Sequence, residues 1–167
     1  MTPLYTTSVS TGFGPKTISV YNCNVLDFDQ EIDILTTSAF QNSYAPTPRT
    51  LFNALHSIGI SVRSLAAHPE LDLRDLCHVW LSKDTNAPWT HIRRIGCIEL
   101  TAYHYGRLGV VDNEQALLNS IRSYFQMLDI AATYGIKMNT VALPLLGAGN
   151  QQISANLIML PVLTECV

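Results

Sequence analysis

The segment that most constrains this chain is residues 141–149, Val-Ala-Leu-Pro-Leu-Leu-Gly-Ala-Gly, which Asn-Gln-Gln-Ile-Ser follows. Its apolar run predicts a buried strand that stops at a Gly-x-Gly turn and precedes a helix. Two glycines let backbone N–H groups approach a ligand without a Cβ in the way, beside the positive end of the helix dipole. The pattern favours an anion site, such as one for phosphate, and the alternative is an ordinary tight turn. The candidate ligand-binding residues here are Leu146, Gly147, Ala148, Gly149, Asn150 and Gln151.

Composition limits the classes of partner. The chain has 167 residues, 47% hydrophobic and 14% charged, so we expect one domain with a large buried core or a surface that meets a protein partner. The net charge of -3 argues against non-specific binding to nucleic acid or to an anionic membrane. The sequence shows neither a signal-peptide pattern nor a run of about 18 apolar residues. We therefore expect a cytoplasmic protein with reduced cysteines and no membrane partner.

Hydrophobic patterns predict the order of helices and strands. Strands are expected at residues 17–22, 32–38, 60–65, 78–82, 92–100 and from 141. Helices are expected at residues 48–57 (with Thr47 as N-cap and Pro48 as the first residue), 71–76 (a single turn), 113–134 and from about 154. This order predicts an α/β layered domain with a mostly parallel or mixed sheet over residues 17–167, after a loose arm or an irregular edge at residues 1–16. The final helix lacks a C-cap glycine and a basic last turn, so we expect a domain cut from, or paired within, something larger.

Neutral polar side chains lie at the end of the second predicted strand and directly after it, namely Thr36, Thr37, Ser38, Gln41, Asn42 and Tyr44. Hydroxyls and amides recognise sugars and bases well, but they are poor general bases because none titrates near neutrality. Arg49 is a candidate for bidentate pairing with phosphate. Asn24 follows the first strand with Asp27 and Asp29, where ligands of open sheets bind, and base recognition is expected there. Each candidate has an alternative interpretation. The polar group after the second strand can be ordinary loop residues, Arg49 can be a surface arginine without a role, and the segment with Asn24 can be a solvated acidic turn.

The sequence predicts neither a metal site nor a cofactor, and it leaves the catalytic residues unknown. His68, Cys77 and His78 lack a standard zinc spacing, and the last two point to opposite faces if they belong to a strand. By residue type His104 is the best acid/base candidate. The alternative is a loop histidine stacked among the neighbouring tyrosines.

Three local sequences carry a family resemblance: residues 23–25 (Cys-Asn-Val), residues 33–40 (Asp-Ile-Leu-Thr-Thr-Ser-Ala-Phe), and the Gly-x-Gly segment at 141–149 after its preceding helix. They resemble the macro domain, the family that binds ADP-ribose and related nucleotides. That family has Gly-Asp-Ile, then Asp-Ala-Ile-Val-Asn-Ala-Ala-Asn, then a phosphate loop at these places. The resemblance covers most of residues 17–160. It implies a three-layer α/β/α fold with a mixed central sheet.

The resemblance also implies a rebuilt pocket. Asn24, beside Val25, stands where the family has its adenine-contacting aspartate, and Thr37 and Phe40 stand where it has ribose-orienting asparagines. Ser-Tyr-Ala-Pro-Thr-Pro at residues 43–48 replaces a Gly-Gly-Gly loop, and prolines cannot donate the same row of backbone N–H groups. Asn-Gln-Gln at residues 150–152 replaces a segment that often holds a stacking aromatic residue. The fold is therefore transferred more safely than the function.

Three functional hypotheses result. The first is a macro-like module that binds a nucleotide or an ADP-ribose-type ligand, with the diphosphate on residues 147–150 and the base near Asn24. The second is a hydrolase that removes ADP-ribose from a protein or a small molecule. The third is a degenerate macro scaffold that binds a protein partner. A pocket blocked by Tyr44 or Gln151 would support the third hypothesis.

Overall fold

The chain begins with a two-stranded antiparallel hairpin in the computed structural model, which describes residues 1–11, 14–100, 113–146, 159 and 162–164. Strand β1 (Tyr5–Thr11) pairs with β2 (Gly14–Val20), and the two form a sheet of their own. The predicted loose arm is wrong for β1, because its threonines and valine suit an extended chain. The predicted domain boundary between residues 16 and 17 falls within β2.

The second sheet is mixed and has five strands. Strand β3 (Ile32–Phe40) is parallel to β6 (Ile92–Leu100) on one side and to β7 (Val141–Ala142) on the other. Beyond β6 lie β5 (Val79–Leu81) and then β4 (Leu71–Leu73), each antiparallel to its neighbour. The α/β class and the mixed sheet are thus confirmed. The strand predicted at residues 92–100 coincides with β6.

The helices are α1 (Leu51–Ser57), α2 (Val62–Ala67), α3 (Arg74–Cys77) and α4 (Asn113–Thr133), and residues 162–164 are also helical. Helix α4 confirms the helix predicted at residues 113–134. Gly135 follows it at a φ of +79°, in the left-handed region that favours glycine. Most of the helix predicted from residue 154 lies outside the described residues.

Three predicted elements between residues 48 and 76 differ from the structure, one of them only in where it begins. Helix α1 begins at Leu51 rather than Pro48, because the hydroxyl of Thr50, not Thr47, caps it by accepting from the N–H of Asn53 at 3.2 Å. Residues 60–65, predicted as a strand, mostly belong to α2. The hydroxyl of Ser61 accepts from the N–H of Ser64, so its capping overrides the alternating apolar pattern. Residues 71–76, predicted as one helical turn, divide between β4 and α3.

Each face of the five-stranded sheet carries a hydrophobic cluster. The face that packs against α4, here called the α4 face, contributes Ile34, Val79, Leu81, Ile98 and Leu100. The opposite face packs against α1, α2 and Tyr44 and is called the loop face; its residues include Leu35, Ala39, Trp80, Ile95 and Cys97. Helices therefore cover both faces of the strands. Within the described ranges, no helix combines the length and apolar character needed to cross a membrane.

Candidate functional site

The carboxyl ends of β3 and β6 bring the first group of predicted residues together. Thr37 lies opposite Cys97, and Ser38 lies opposite Ile98. The hydroxyl of Thr36 donates to Tyr124 Oη at 2.8 Å on the α4 face, while that of Thr37 donates to the carbonyl of Gly96 at 3.4 Å. Both threonines are buried, whereas Ser38 is half-buried. Of the three, Ser38 is the one with appreciable exposure to solvent.

The segment at residues 41–50, here called the Pro46 loop, connects β3 to α1. A turn closes its start, where the N–H of Ser43 donates to the carbonyl of Phe40 at 2.8 Å. Tyr44 turns inward and is 8% exposed, with its ring edge-on to Trp80 at a centroid distance of 5.7 Å. The predicted ligand-lining Tyr44 therefore fills space on the loop face. A small groove of about 160 Å³ lies beside it, next to Pro46 and Phe52.

A buried carboxylate accepts the hydrogen bond of that tyrosine. Glu99 is 1% exposed, and the hydroxyl of Tyr44 donates to its Oε1. Burial raises the pKa of Glu99 above its ordinary value, and the backbone N–H of Asn42 opposes that shift. Arg74 Nη1 in turn donates to Tyr44 Oη at 3.4 Å, while its Nε donates to Asp72 at 2.8 Å. These four residues form a continuous chain of polar contacts from the surface to the buried end of β6.

The sequence reasoning missed Glu99 and Arg74. Glu99 was detectable as a carboxylate inside an otherwise apolar strand, since parallel strands covered on both faces rarely carry one. Arg74 gave no such signal, because it lies 30 residues from Tyr44 and nothing local predicts their contact.

More polar groups lie buried on the same face. Cys97 is buried, and burial raises the pKa of its thiol to about 12, with a hydrogen bond to Thr37 opposing. Trp80 Nε1 and His78 Nδ1 are buried and have no hydrogen-bond partner within the described chain. His78 does not begin a strand as predicted: it caps α3 in the left-handed region, with a φ of +59°. Cys77 is therefore the last residue of α3 and His78 is its C-cap, so the two do not lie on opposite faces of a strand.

Asn24 and Val25 lie elsewhere. The strand before them, β2, belongs to the separate hairpin sheet, so the rule for the carboxyl edge of an open sheet does not apply to them. The carbonyl of Val25 lies 3.0 Å from His91 Nε2, at the amino end of β6. The Asn24 side chain accepts from the N–H of Leu26 and so caps a short 3-10 turn at Val25–Asp27. Thr37, Ser38 and Tyr44 lie toward the other end of the parallel strands.

The remaining predicted residues divide between exposed, buried and undescribed positions. Arg49 is exposed, precedes α1 and has a φ of +67°. Leu146 is buried in the cluster of the α4 face. Gly147, Ala148, Gly149, Asn150, Gln151 and His104 lie outside the described residues.

A charged cleft of about 400 Å³ lies at the amino ends of β3 and β6. Its charged lining residues are Asp33, Glu70, Asp84, Arg93, Arg94 and Lys137. Arg93 lies between Asp33 at 3.7 Å and Asp84 at 3.8 Å, and Arg94 lies 4.0 Å from Glu70. Acids and bases balance here, so the cleft has no strong preference for an anion or a cation. No group of three or more metal-ligating side chains occurs in the part of the chain that the structure describes.

In comparisons with known proteins, no family model matches this chain, and no curated protein matches it.

Proposed function

We propose that this protein is a three-layer, macro-like module that binds a nucleotide or an ADP-ribose-type ligand, with the diphosphate on the Gly147-Ala-Gly149 turn. The observation that carries the proposal is the parallel pairing of β7 with β3, in which Ile34 lies opposite Val141. Because β7 is parallel to β3, it is directed toward the carboxyl end of β3, the edge at which open α/β sheets bind ligands. Helices packed on both faces of the sheet support the layered arrangement.

Backbone N–H groups supply the attraction for phosphate in this proposal. They suit a protein whose net charge is -3, because they bind an anion without a basic surface. The side chains with some exposure near the site include neutral Ser38 and cationic Arg49, which match a sugar hydroxyl and a phosphate respectively. Leu146, packed into the α4-face cluster, anchors the start of the loop.

Calorimetric titration with ADP-ribose, NAD, a cyclic nucleotide and a short oligoadenylate tests the proposal. Gly149→Val places a branched side chain in the anion loop and is expected to weaken binding by at least about tenfold, or about 1.4 kcal/mol. Thr17→Val, an exposed substitution on β2, is the control that retains binding. If none of these ligands produces heat with the wild-type protein, the proposal is wrong. Cleavage of an ADP-ribosylated substrate, measured separately, distinguishes a hydrolase from a binding module.

The burial of Tyr44 favours a second candidate, a macro scaffold that acts as a protein-interaction domain. A ring packed against Trp80 and bonded to Glu99 occupies space that a ligand would need. Under this candidate the wild-type protein binds none of the four ligands. ADP-ribose binding that appears only in Tyr44→Ala would show that the tyrosine blocks an otherwise competent pocket.

A further inference from the structure

We propose that Tyr44, Glu99 and Arg74 form a latch that holds the Pro46 loop closed over the carboxyl end of β6. Release of Tyr44 from Glu99 opens the loop and so regulates access to the sheet edge. Only the identity of the ligand that the open loop admits rests on the proposed function. The latch itself follows from contacts within the described chain.

Burial along the loop identifies Tyr44 as its anchor. Residues 41–43 and 45–49 are exposed, whereas Tyr44 is buried. Its ring packs edge-on to Trp80, and its hydroxyl reaches Glu99 and Arg74. One side chain therefore makes the inward contact for a loop that otherwise faces solvent. Moving that side chain frees the exposed residues 45–49, while Gln41 keeps its N–H bond to the carbonyl of Leu100.

The backbone of the loop needs such an anchor. Asn42 has a φ of +59° and Arg49 a φ of +67°, so residues at both ends of the loop adopt the left-handed region. Asparagine tolerates that region, but arginine adopts it only at a cost in free energy. A closed loop with this backbone persists because contacts elsewhere hold it. The latch supplies those contacts.

The groups around Glu99 make the latch sensitive to its ionisation. Tyr44 and the N–H of Asn42 donate to the carboxyl group, and Arg74, itself paired with Asp72, lies behind Tyr44. Cys97 lies two residues before it on the same strand face, and the carbonyl of His78 accepts the N–H of Glu99. Arg74 is the positive charge among these groups. It contacts the tyrosine oxygen rather than the carboxylate.

The direction of the pH effect follows from burial. Burial raises the pKa of Glu99 in the closed loop, whereas an opened, hydrated carboxyl group has an ordinary pKa. The closed loop therefore binds the proton more tightly. Its stability is fully present below the ordinary carboxyl pKa and is lost as the pH rises through the raised one. Glutamine at position 99 mimics the protonated acid, because it is neutral and still accepts from Tyr44.

Limited proteolysis with trypsin at pH 7.5, without ligand, tests the latch. Arg49 supplies a cleavage site within the loop, and Lys16, on the separate hairpin, supplies an internal reference in the same digest. Tyr44→Phe is expected to raise the ratio of cleavage after Arg49 to cleavage after Lys16 by about fivefold, the factor that one hydrogen bond contributes to an opening equilibrium. Glu99→Gln is expected to lower the ratio. Tyr134→Phe, at an exposed tyrosine, is the control that leaves it unchanged.

A second measurement follows the pH effect directly. Trp80 fluorescence in a Trp89→Phe background reports on the ring beside Tyr44. Its intensity is expected to change between pH 4.5 and 8 when residue 99 is glutamate, but not in the Glu99→Gln variant. An unchanged proteolysis ratio in both latch variants overturns the proposal. Equal acceleration at Arg49 and at Arg94, which lies within β6, also overturns it, since Tyr44 then stabilises the whole central sheet. Failure to bind ADP-ribose affects only the proposed function, because neither latch measurement contains a ligand.

Discussion

The two faces of the central sheet bury equally apolar clusters but very different polar groups. On the α4 face, the described polar contact between the sheet and the helix is the hydroxyl pair of Thr36 and Tyr124. The loop face buries the carboxyl group of Glu99 and the thiol of Cys97, together with the indole N–H of Trp80, which has no hydrogen-bond partner among the described residues. Buried polar groups cost free energy unless they are satisfied, so a face that keeps several of them is less optimised for stability. The α4 face serves the fold, and the loop face is the better place to look for function.

The largest expected difference between the faces is in thiol reactivity. A thiol with a pKa of about 12 has about a thousandfold less thiolate at pH 8 than a thiol with an ordinary pKa of 9.0. Iodoacetamide should therefore label Cys97 at least about a thousandfold more slowly than exposed Cys23, as measured by mass spectrometry of the native protein. In denaturant the two should react alike. Comparable rates in the native protein would mean that water reaches the loop face.

The next effect concerns close packing on the α4 face. A Cβ at Gly96 would lie 2.7 Å from Tyr124 Cε2 and nearer still to the hydroxyl, so Gly96→Ala overpacks the core. It is expected to lower the free energy of unfolding by about 1–3 kcal/mol in a denaturant titration. Adding Tyr124→Phe removes the clashing hydroxyl and should recover part of the loss. A Gly96→Ala variant as stable as wild type would show that Tyr124 moves aside freely.

The smallest expected effect on the free energy of unfolding comes from valine substitutions at two adjacent threonines. Thr36 and Thr37 are adjacent and buried, and they point to opposite faces. Thr36→Val should cost about 1 kcal/mol of unfolding free energy, because it removes a 2.8 Å hydrogen bond and leaves the Tyr124 hydroxyl without that partner. Thr37→Val should cost less, about 0.5 kcal/mol, because its bond to Gly96 is 3.4 Å long and its other partner, the Cys97 thiol, forms only weak hydrogen bonds. Thermal unfolding of both variants measures the difference, and a reversed order would contradict the contrast between the faces.

Local pattern was sufficient to predict much of the fold. Strand β6 and helix α4 follow from long apolar runs with one clear period, and Gly135 marks the end of α4. The errors fall where two signals compete over a few residues. Alternating apolar residues at 60–65 suggest a strand, yet the Ser61 cap begins a helix there. Pro48 suggests a helix start that Thr50 provides instead.

The candidate site was less predictable because its contacts are remote in sequence. Tyr44 was predicted to bind the ligand, but its orientation depends on Glu99, 55 residues away, and on Arg74. The placement of Asn24 failed because the first strand belongs to another sheet, which residues 17–22 alone do not reveal. The predicted roles of residues 147–151 stay predictions.

The position of β3 in the sheet has a consequence for biosynthesis. Its two neighbouring strands both come later in the chain, and Asp33 bonds to the N–H of Thr140, 107 residues further on. At translation rates of about 5–20 residues per second, β7 is synthesised roughly 5–20 s after β3, so one edge of β3 is unpaired during that time. Throughout that interval an apolar, β-branched strand has an open edge on the ribosome. The sheet therefore closes late, only after residues 141–142 have been made, and this long-range parallel pairing is expected to be a slow step of folding.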